Sequence, residues 1–323
     1  MDDTKKILFL QKKEFLKDQS EFIISKLKNF DNDINLDSIS EFSKSFDYSK
    51  YSVIIAPTLP WIYEVINKSS NLKWIHFLSS GIEKIWDMPV DWSRYLLSKS
   101  AGIHGPQISE YVIGSMLFFA KRFNDFNVQS RDKIWKRFWL SELKNKHVLI
   151  LGGGNVGHWI SKRCSQFEME ITIVQKNLKF NKYANRTLIL DDAINLLGTV
   201  DFIVVALPLT ENTRLLIDDE FLSKLSKGAV LIDISRGGIV NQNTVIKFLE
   251  QDKLGGAALD VFAEEPLPAS SPLWNRKDVL VTPHVSGTSP FYMERALELF
   301  IENLKSLKSN GQLITPVSIK DKY

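Results

Sequence analysis

The sequence predicts an α/β protein with two domains, each built on a parallel sheet. Short apolar segments alternate along the chain with longer segments of helical periodicity, as strands and helices do. A glycine-rich turn, Gly152-Gly-Gly-Asn-Val-Gly157, joins one of these strands to one of these helices. Strands that are separated by helices run parallel, because each helix returns the chain to the same edge of the sheet.

In the first part of the chain, strands and helices alternate. Strands are predicted at 7–10, 51–56 and 72–78, and helices at 14–30 and 61–67. The next helix, at 108–120, is nearly all apolar, so we expect it to be buried on most sides, between the domains or under a partner subunit. Residues 124–143 read as a long amphipathic connector that carries Trp135 and Trp139.

From His147 onward the pattern is more regular. Strands are predicted at 147–151, 171–174, 201–206, 229–233, 256–261 and 279–282, with a helix at 156–167 after the glycine-rich turn. Such continuous apolar strands are buried on both faces, as in a doubly wound sheet. The last helix is expected to begin with Ser289 as its cap and Pro290 in its first turn. Its apolar positions recur at helical spacing at Leu297, Phe300, Ile301, Leu304 and Leu307.

Bulk composition narrows the function. The chain has 323 residues, 44% of them hydrophobic, which is enough for a sizeable core. Its formal net charge of +3 is too mild to indicate nucleic-acid binding but suits a small anionic ligand. One cysteine, Cys164, favours a reducing compartment. The apolar run at residues 7–10 is too short for a secretion signal, and no window is long enough for a membrane span, so a cytoplasmic location is expected.

The glycine-rich turn predicts a dinucleotide site. Gly152 allows a tight turn, Gly154 lets the backbone approach a pyrophosphate, and Gly157 lets the helix pack on the sheet. The amides of Asn155 and Val156 then lie at the positive end of the helix dipole, where a phosphate binds.

The end of the next strand bears on which nicotinamide dinucleotide binds. An NAD site usually places an acidic residue there, to bond the ribose 2'-hydroxyl. Here the residues are Gln175 and Lys176. A neutral glutamine does not repel a 2'-phosphate and a lysine attracts it, so the sequence favours NADP over NAD. The alternative is that Lys176 is only a solvated lysine at a strand end.

Three further segments carry candidate catalytic groups. Arg236 follows the strand at 229–233 and offers a planar fork of donors for a carboxylate. His284 lies in Thr282-Pro-His284, and an imidazole suits proton transfer near neutral pH. Glu264 and Glu265 both precede it in the chain, and a carboxylate on the far ring nitrogen would sustain the imidazolium. The residues alone leave the choice between the two glutamates open. We find no metal-ligand spacing.

Taken in order, these segments resemble the D-2-hydroxyacid dehydrogenases over residues 79 to 304. The resemblance implies a Rossmann-type, doubly wound cofactor domain at 101–288, inserted in a smaller flavodoxin-like α/β substrate domain at 1–100 and 289–323. It also selects Glu265, which directly precedes a proline, and makes Arg236, Glu265 and His284 the catalytic residues. An arm near Trp135 and Trp139 would embrace a second subunit, giving a homodimer.

The resemblance further implies ligand contacts. The cofactor would meet the glycine-rich turn and the Gln175–Lys176 pair, and Asp260 would lie toward the carboxamide. The remaining implied cofactor contacts are Leu207, Pro208, Ile234, Arg236 and His284. Substrate contacts would be main-chain groups of Ser80, Gly81 and Ile82, together with Arg236 and His284.

The implied reaction is hydride transfer from NAD(P)H to C2 of a 2-oxo acid, giving a D-2-hydroxy acid. Glyoxylate or hydroxypyruvate is the favoured substrate and a bulkier 2-oxo acid is the alternative, with Leu59 or Trp61 as candidates for setting the pocket size. A rival from another class is a dinucleotide-sensing interaction module of the C-terminal-binding corepressor type. The chain ends at Tyr323, shortly after its last predicted helix, which favours the enzyme.

Overall fold

The computed structural model describes residues 5–320. The chain divides into two compact units, Met1–Ile103 with Pro290–Tyr323, and His104–Ser289. The chain thus changes unit after residues 103 and 289, where the domain prediction changes domain after residues 100 and 288. The outer ends of the predicted substrate domain, including Tyr323, lie outside the described residues.

Twelve strands and nine α-helices are assigned within residues 5–320. The strands are β1 (Lys6–Leu10), β2 (Asn35–Ile39), β3 (Val53–Ala56), β4 (Trp74–Phe77), β5 (Leu96–Lys99), β6 (His147–Leu151), β7 (Glu170–Val174), β8 (Arg186–Leu188), β9 (Phe202–Val205), β10 (Ala229–Asp233), β11 (Leu254–Leu259) and β12 (Val279–Val281). The helices are α1 (Lys13–Phe30), α2 (Ile62–Lys68), α3 (Gly105–Ala120), α4 (Phe123–Asp132), α5 (Asn155–Gln166), α6 (Leu190–Ala193), α7 (Asp219–Ser223), α8 (Gln242–Glu250) and α9 (Tyr292–Asn310). Within the same residues, no helix combines the length and apolar character that crossing a membrane requires.

The first unit contains a five-stranded parallel sheet in the order β2-β1-β3-β4-β5, which is the flavodoxin-like order. Strands β3 and β4 bury every side chain, as strands covered on both faces do. The sequence did not predict β2 and β5. Neither carries a continuous apolar run, because β2 is half-exposed Asn-Leu-Asp-Ser-Ile and β5 ends in Ser98 and Lys99.

The C-terminal helix α9 belongs to this first unit. Phe300 stacks on Trp74 with ring centroids 4.8 Å apart, and both side chains are buried. The prediction of a cap at Ser289 is wrong, because the helix begins at Tyr292 with Phe291 as its N-cap. Residues 290 and 291 form a turn ahead of the helix, so Pro290 does not lie in its first turn either.

The second unit contains a seven-stranded sheet in the order β12-β11-β10-β9-β6-β7-β8, with every neighbouring pair parallel. This is the Rossmann order with one strand added, and the order reverses between β6 and β9. Ligands of such sheets bind beyond the carboxyl ends of the strands at that point of reversal. The short edge strand β8 was not predicted, because three half-exposed residues carry no periodic signal.

Helix α3 is largely buried, as its composition predicts. Val112 and Met116 are fully buried in the core of the second unit, and an added Cβ on Gly105 would lie 2.0 Å from the Trp159 ring of α5. Glu110 and Gly114, however, are exposed. These are the two exposed residues among the sixteen of the helix, so the prediction of burial on most sides is confirmed.

Residues 124–143 form α4 and then a stretch without regular structure from 134 to 142. We call residues 123–140 the arm. Trp135 and Trp139 in the arm are 97% and 98% exposed, which is unusual for the largest apolar side chain.

Candidate active site

The glycine-rich turn lies between β6 and α5, at the point where the strand order reverses. Gly152 has a φ of +118°, and an added Cβ there would lie 2.5 Å from the carbonyl oxygen of Ala206. An added Cβ on Gly157 would lie 1.9 Å from the oxygen of Gly152. Around Gly154, in contrast, a Cβ would meet nothing within 4 Å. Two glycines are thus required by protein packing, whereas Gly154 faces open space at the N-cap of α5, where a pyrophosphate fits.

The amides expected to face that pyrophosphate, those of Asn155 and Val156, open helix α5. At the end of β7, the Gln175 side chain packs on the turn, 2.0 Å from a Cβ built on Gly153, and donates to the oxygen of Lys179 at 2.7 Å. Lys176 is exposed beside it. Both predicted residues therefore lie at the same edge of the sheet as the glycine-rich turn.

Other predicted cofactor residues follow neighbouring strands. Leu207 and Pro208 follow β9 after one intervening residue, and an added Cβ on Gly152 would lie 3.5 Å from the Leu207 nitrogen. Ile234 follows β10 and is buried in the core. Parallel strands bring these residues to one edge, which accounts for their proximity to the turn.

Arg236 stands in the loop after β10. Its Nη1 donates to the Ser235 oxygen at 2.7 Å, and Ser235 donates through N and Oγ to Asp233. Burial raises the pKa of Asp233 to about 7, against the lowering effect of those hydrogen bonds. Gly237 permits a close approach, because an added Cβ would lie 1.9 Å from the oxygen of Phe262. The loop that carries Arg236 therefore rests on the segment that leads to Glu265.

Glu265, and not Glu264, is the glutamate bonded to His284. Its Oε2 lies 2.9 Å from His284 Nδ1, and its Oε1 accepts from the Phe262 amide at 3.0 Å. Burial alone would raise the pKa of Glu265, but the hydrogen bonds from His284 and Phe262 and the nearby charge of Arg236 lower it. The carboxylate is thus held in its ionised form beside the imidazole.

His284 follows β12 on a strained segment. Its φ is +54°, in the left-handed region that non-glycine residues seldom occupy, and its side chain is 46% exposed. One ring nitrogen is held by Glu265, and the ring remains open to solvent. A half-exposed imidazole with one nitrogen on a carboxylate is the arrangement of a proton donor or acceptor.

Asp260, which the family resemblance places toward a carboxamide, bonds to the segment that carries His284. The residue is 0% exposed. Its Oδ1 accepts from Thr282 Oγ1 at 2.6 Å and the Val285 amide at 2.8 Å, and its Oδ2 accepts from the Ser286 amide at 2.9 Å. In this conformation the carboxylate holds the segment around His284 and offers no surface to a ligand.

The predicted substrate loop belongs to the first unit. Ser80 and Gly81 are half-buried after β4, and Ile82 is buried ahead of a 3-10 turn, Glu83–Ile85. That three-residue turn is too short to contribute a helix dipole, so any anion binding here depends on loop amides. Of the pocket candidates, Leu59 is buried in the core of this unit and Trp61 is half-buried.

Sequence reasoning missed two residues that contact the His284 segment. Tyr111 OH lies 2.8 Å from Thr282 Oγ1, and Gln107 Nε2 donates to the Gly287 oxygen at 3.1 Å. Both lie on α3. The signal in the sequence was a polar group at the end of a side chain in an otherwise apolar helix. Such a group indicates a hydrogen-bond partner but does not identify it. Residues 5–320 contain no group of three or more His, Cys, Asp or Glu side chains placed to hold a metal ion.

The chain has relatives of known family. Residues 113–286 match the family model of the D-isomer specific 2-hydroxyacid dehydrogenase NAD-binding domain. The chain is 31% identical over 249 residues to a glyoxylate reductase of Thermofilum pendens, covering 75% of this chain and 73% of that protein. It is 30% identical over 258 residues to a glyoxylate/hydroxypyruvate reductase of Arabidopsis thaliana, covering 79% of this chain and 81% of that protein.

Solved structures show the same fold. The structure of a D-isomer specific 2-hydroxyacid dehydrogenase from Xanthobacter autotrophicus Py2, in complex with NADPH and MES, superposes with a TM-score of 0.86. The match covers 99% of this chain and all of that one, at 22% identity. From the family model, the sequence relatives and the strand order together, it follows that this chain belongs to the D-isomer specific 2-hydroxyacid dehydrogenase family and that its second unit holds a nicotinamide-dinucleotide-binding domain.

Proposed function

We propose that this protein is a reductase that converts a 2-oxo acid to a D-2-hydroxy acid with NADPH or NADH. One observation carries the proposal: the 2.9 Å hydrogen bond between Glu265 Oε2 and His284 Nδ1, formed at the sheet edge where the glycine-rich turn lies. The bound nicotinamide supplies a hydride to C2 of the substrate. The side chains of the protein then have two tasks, which are to hold the substrate and to supply a proton.

The proton comes from His284. Because Glu265 occupies Nδ1, Nε2 is the nitrogen that presents the proton to the substrate oxygen. The lowered pKa of Glu265 keeps its carboxylate ionised, so it stabilises the imidazolium before transfer and orients the ring throughout. Glu265 thus acts through His284, by stabilising and orienting its protonated ring.

Arg236 binds the substrate carboxylate and polarises the keto oxygen. A guanidinium presents paired donors that match a carboxylate, and the nearby positive charge also helps to ionise Glu265. Main-chain groups of Ser80, Gly81 and Ile82, in the first unit, are further proposed substrate contacts. On this proposal the first unit is the substrate domain and the second is the cofactor domain.

The preferred cofactor is NADP rather than NAD. Gln175 stands where an acidic residue would bond the ribose 2'-hydroxyl, and exposed Lys176 adds a positive charge for a 2'-phosphate. Titration of the apoenzyme with NADPH and NADH, followed by quenching of intrinsic tryptophan fluorescence, tests this directly. Tighter NADPH binding that is lost in Lys176→Ala supports the assignment, and equal or tighter NADH binding overturns it.

Glyoxylate or hydroxypyruvate is the proposed substrate, because two sequence relatives of at least 30% identity bear these names. We also propose a homodimer, because the arm exposes two tryptophans that a second copy would cover. The single cysteine, Cys164, which is buried, suits a cytoplasmic location.

The decisive experiment follows NADPH and NADH oxidation with glyoxylate, hydroxypyruvate, pyruvate and phenylpyruvate. Turnover of one of the two small substrates above phenylpyruvate supports the proposal, and analysis of the product on a chiral column should give the D isomer. A preference for phenylpyruvate would support the proposed reaction but show that the proposed substrate is wrong. Folded protein that binds cofactor but turns over none of these acids would overturn the enzymatic function.

A further inference from the structure

The segment that carries His284 cannot hold its shape by local preference. A non-glycine residue at a φ of +54° is held there only when surrounding contacts over-determine the backbone. The segment comes from the last strand of the sheet and lacks regular structure from residue 282 to 291. The orientation of the imidazole therefore depends on the contacts that hold the residues on both sides of His284.

Asp260 makes the first set of hydrogen bonds that hold this segment. Its carboxylate accepts hydrogen bonds from Thr282, two residues before His284, and from Val285 and Ser286, directly after it. These three bonds run from 2.6 to 2.9 Å, and Asp260 itself is wholly buried at the end of β11. A buried carboxylate with three donors is strongly held, because each bond is charge-assisted.

Helix α3 makes the second set of hydrogen bonds that hold this segment. Tyr111 OH meets Thr282 Oγ1 at 2.8 Å, and Gln107 Nε2 meets the Gly287 oxygen at 3.1 Å. The single hydroxyl proton of Thr282 goes to Asp260, so Tyr111 is the donor in its contact with Thr282. Burial raises the pKa of Tyr111 to about 12, which keeps the phenol protonated and able to donate. A chain of hydrogen bonds thus runs from α3 through Thr282 to the end of β11.

We propose that Tyr111 and Thr282 are positioning residues for His284, acting through the chain Tyr111–Thr282–Asp260 that fixes the backbone on which the imidazole stands. Neither residue touches the reacting atoms. Their effect is to keep Nδ1 on Glu265 and Nε2 directed to the substrate. This inference rests on the proposed role of His284 as the proton donor.

The test compares Thr282→Val, which keeps the shape and removes the hydroxyl, with Thr282→Ser, which retains the hydroxyl. Tyr111→Phe removes the other end of the same chain. Thr244→Val is the control, because Thr244, like Thr282, donates its hydroxyl to an aspartate in the same unit, here to Asp219 at 2.7 Å. All four variants and the wild type are measured with the best 2-oxo acid and for thermal stability.

We expect Thr282→Val to lower kcat about tenfold to a hundredfold, since a displacement of about 1 Å at a reacting group has that effect. The KM for NADPH should stay near the wild-type value, because the glycine-rich turn is untouched. Thr282→Ser should restore most of kcat, and Tyr111→Phe should lower it less than Thr282→Val. Thr244→Val should lower Tm without lowering kcat.

A second readout does not depend on turnover. The chain has five histidines, so the ring nitrogens of His284 can be followed by NMR and assigned by their loss in His284→Gln. In Thr282→Val we expect the Nδ1 signal to move away from its carboxylate-bonded position, and in Thr282→Ser to return. The signals of His147, which bonds to Thr172 and Thr199 elsewhere in the unit, should not move.

The outcomes separate this inference from the proposed function. Full kcat and an unmoved His284 signal in both Thr282→Val and Tyr111→Phe would overturn the positioning role while leaving the reductase intact. Full activity of His284→Gln would instead overturn the proposed function. If Thr244→Val lost as much kcat as Thr282→Val, the loss would be explained by lower stability. That outcome would also overturn the inference.

Discussion

His284 and His76 are both held by hydrogen bonds at the ring, yet their surroundings are opposite. The His284 side chain is 46% exposed and bonds a carboxylate, that of Glu265. His76 is 0% exposed and bonds two hydroxyls, Ser98 Oγ at 2.8 Å and Ser100 Oγ at 3.2 Å. Trp74 and Phe300 meet its ring edge-on.

The consequence is a difference in what each ring can do with a proton. Burial lowers the pKa of His76 to about 3, so the ring stays neutral throughout the physiological range. A hydroxyl can satisfy either tautomer but does not balance a positive charge, whereas the Glu265 carboxylate does. Access to solvent and a carboxylate partner, rather than the imidazole itself, therefore distinguish a proton-handling histidine from a structural one.

The largest expected effect separates the two histidines by activity. Replacing His284 with Gln should lower kcat about a thousandfold, because general acid catalysis contributes about 10² to 10⁴ in rate. The Tm should barely change, since the side chain is half-exposed. Steady-state kinetics with the best 2-oxo acid and a thermal melt measure both. If His284→Gln keeps a tenth of the wild-type kcat, the assignment of the proton donor is wrong.

The next effect concerns the carboxylate. Glu265→Gln keeps the shape but removes the charge that sustains the imidazolium, so we expect kcat to fall about a hundredfold with little change in NADPH affinity. The lowered pKa of Glu265 means that its pairing with His284 is present above its ordinary titration range and is lost only as the pH falls through the lower folded value. Glu264→Gln is the control, because that neighbour does not make the bond to His284. Equal losses in both variants would contradict the pairing.

Much of the fold could be predicted because buried strands leave a local signal. Strands β6 and β10 match their predicted residues, since every position is apolar or buried. The strands that were missed, β2, β5 and β8, are half-exposed, mixed or three residues long. The cap at Ser289 was wrong because a serine before a proline is a common helix start, and here tertiary packing places the start at Tyr292.

The candidate site, too, could be predicted only in part. The family resemblance, and not local pattern alone, selected Arg236, Glu265 and His284, and the structure brings Glu265 and His284 together. The contact between Tyr111 and Thr282 joins residues 171 positions apart, and no local pattern reports such a pairing. The burial of Asp260 was equally hidden, because an aspartate after a strand gives no sign of whether it faces a ligand or its own loop.

A third prediction concerns acid stability. The folded pKa of His76, about 3, lies below the unfolded value of 6.5, so the unfolded chain binds the proton first and stability falls as the pH drops below about 6.5. At about pH 5 the loss is on the order of 2 kcal/mol from this residue. Urea unfolding of the wild type and His76→Gln at about pH 7 and about pH 5 measures it. The variant should lose less between the two values, and an exposed-histidine control, His158→Gln, should follow the wild type.

The smallest effect tests what the hydroxyls around His76 contribute. Ser98 Oγ meets both Trp74 Nε1 at 2.9 Å and His76 Nδ1 at 2.8 Å, whereas Ser100 Oγ meets only the other ring nitrogen, at 3.2 Å. Ser98→Ala leaves two buried groups without that partner and should cost about 1 kcal/mol more than Ser100→Ala in urea unfolding at neutral pH. Neither change should alter the acid dependence, because burial, not the serines, lowers the pKa of His76. A flatter acid dependence in Ser98→Ala would show that the hydroxyl, and not the apolar enclosure, keeps this histidine neutral.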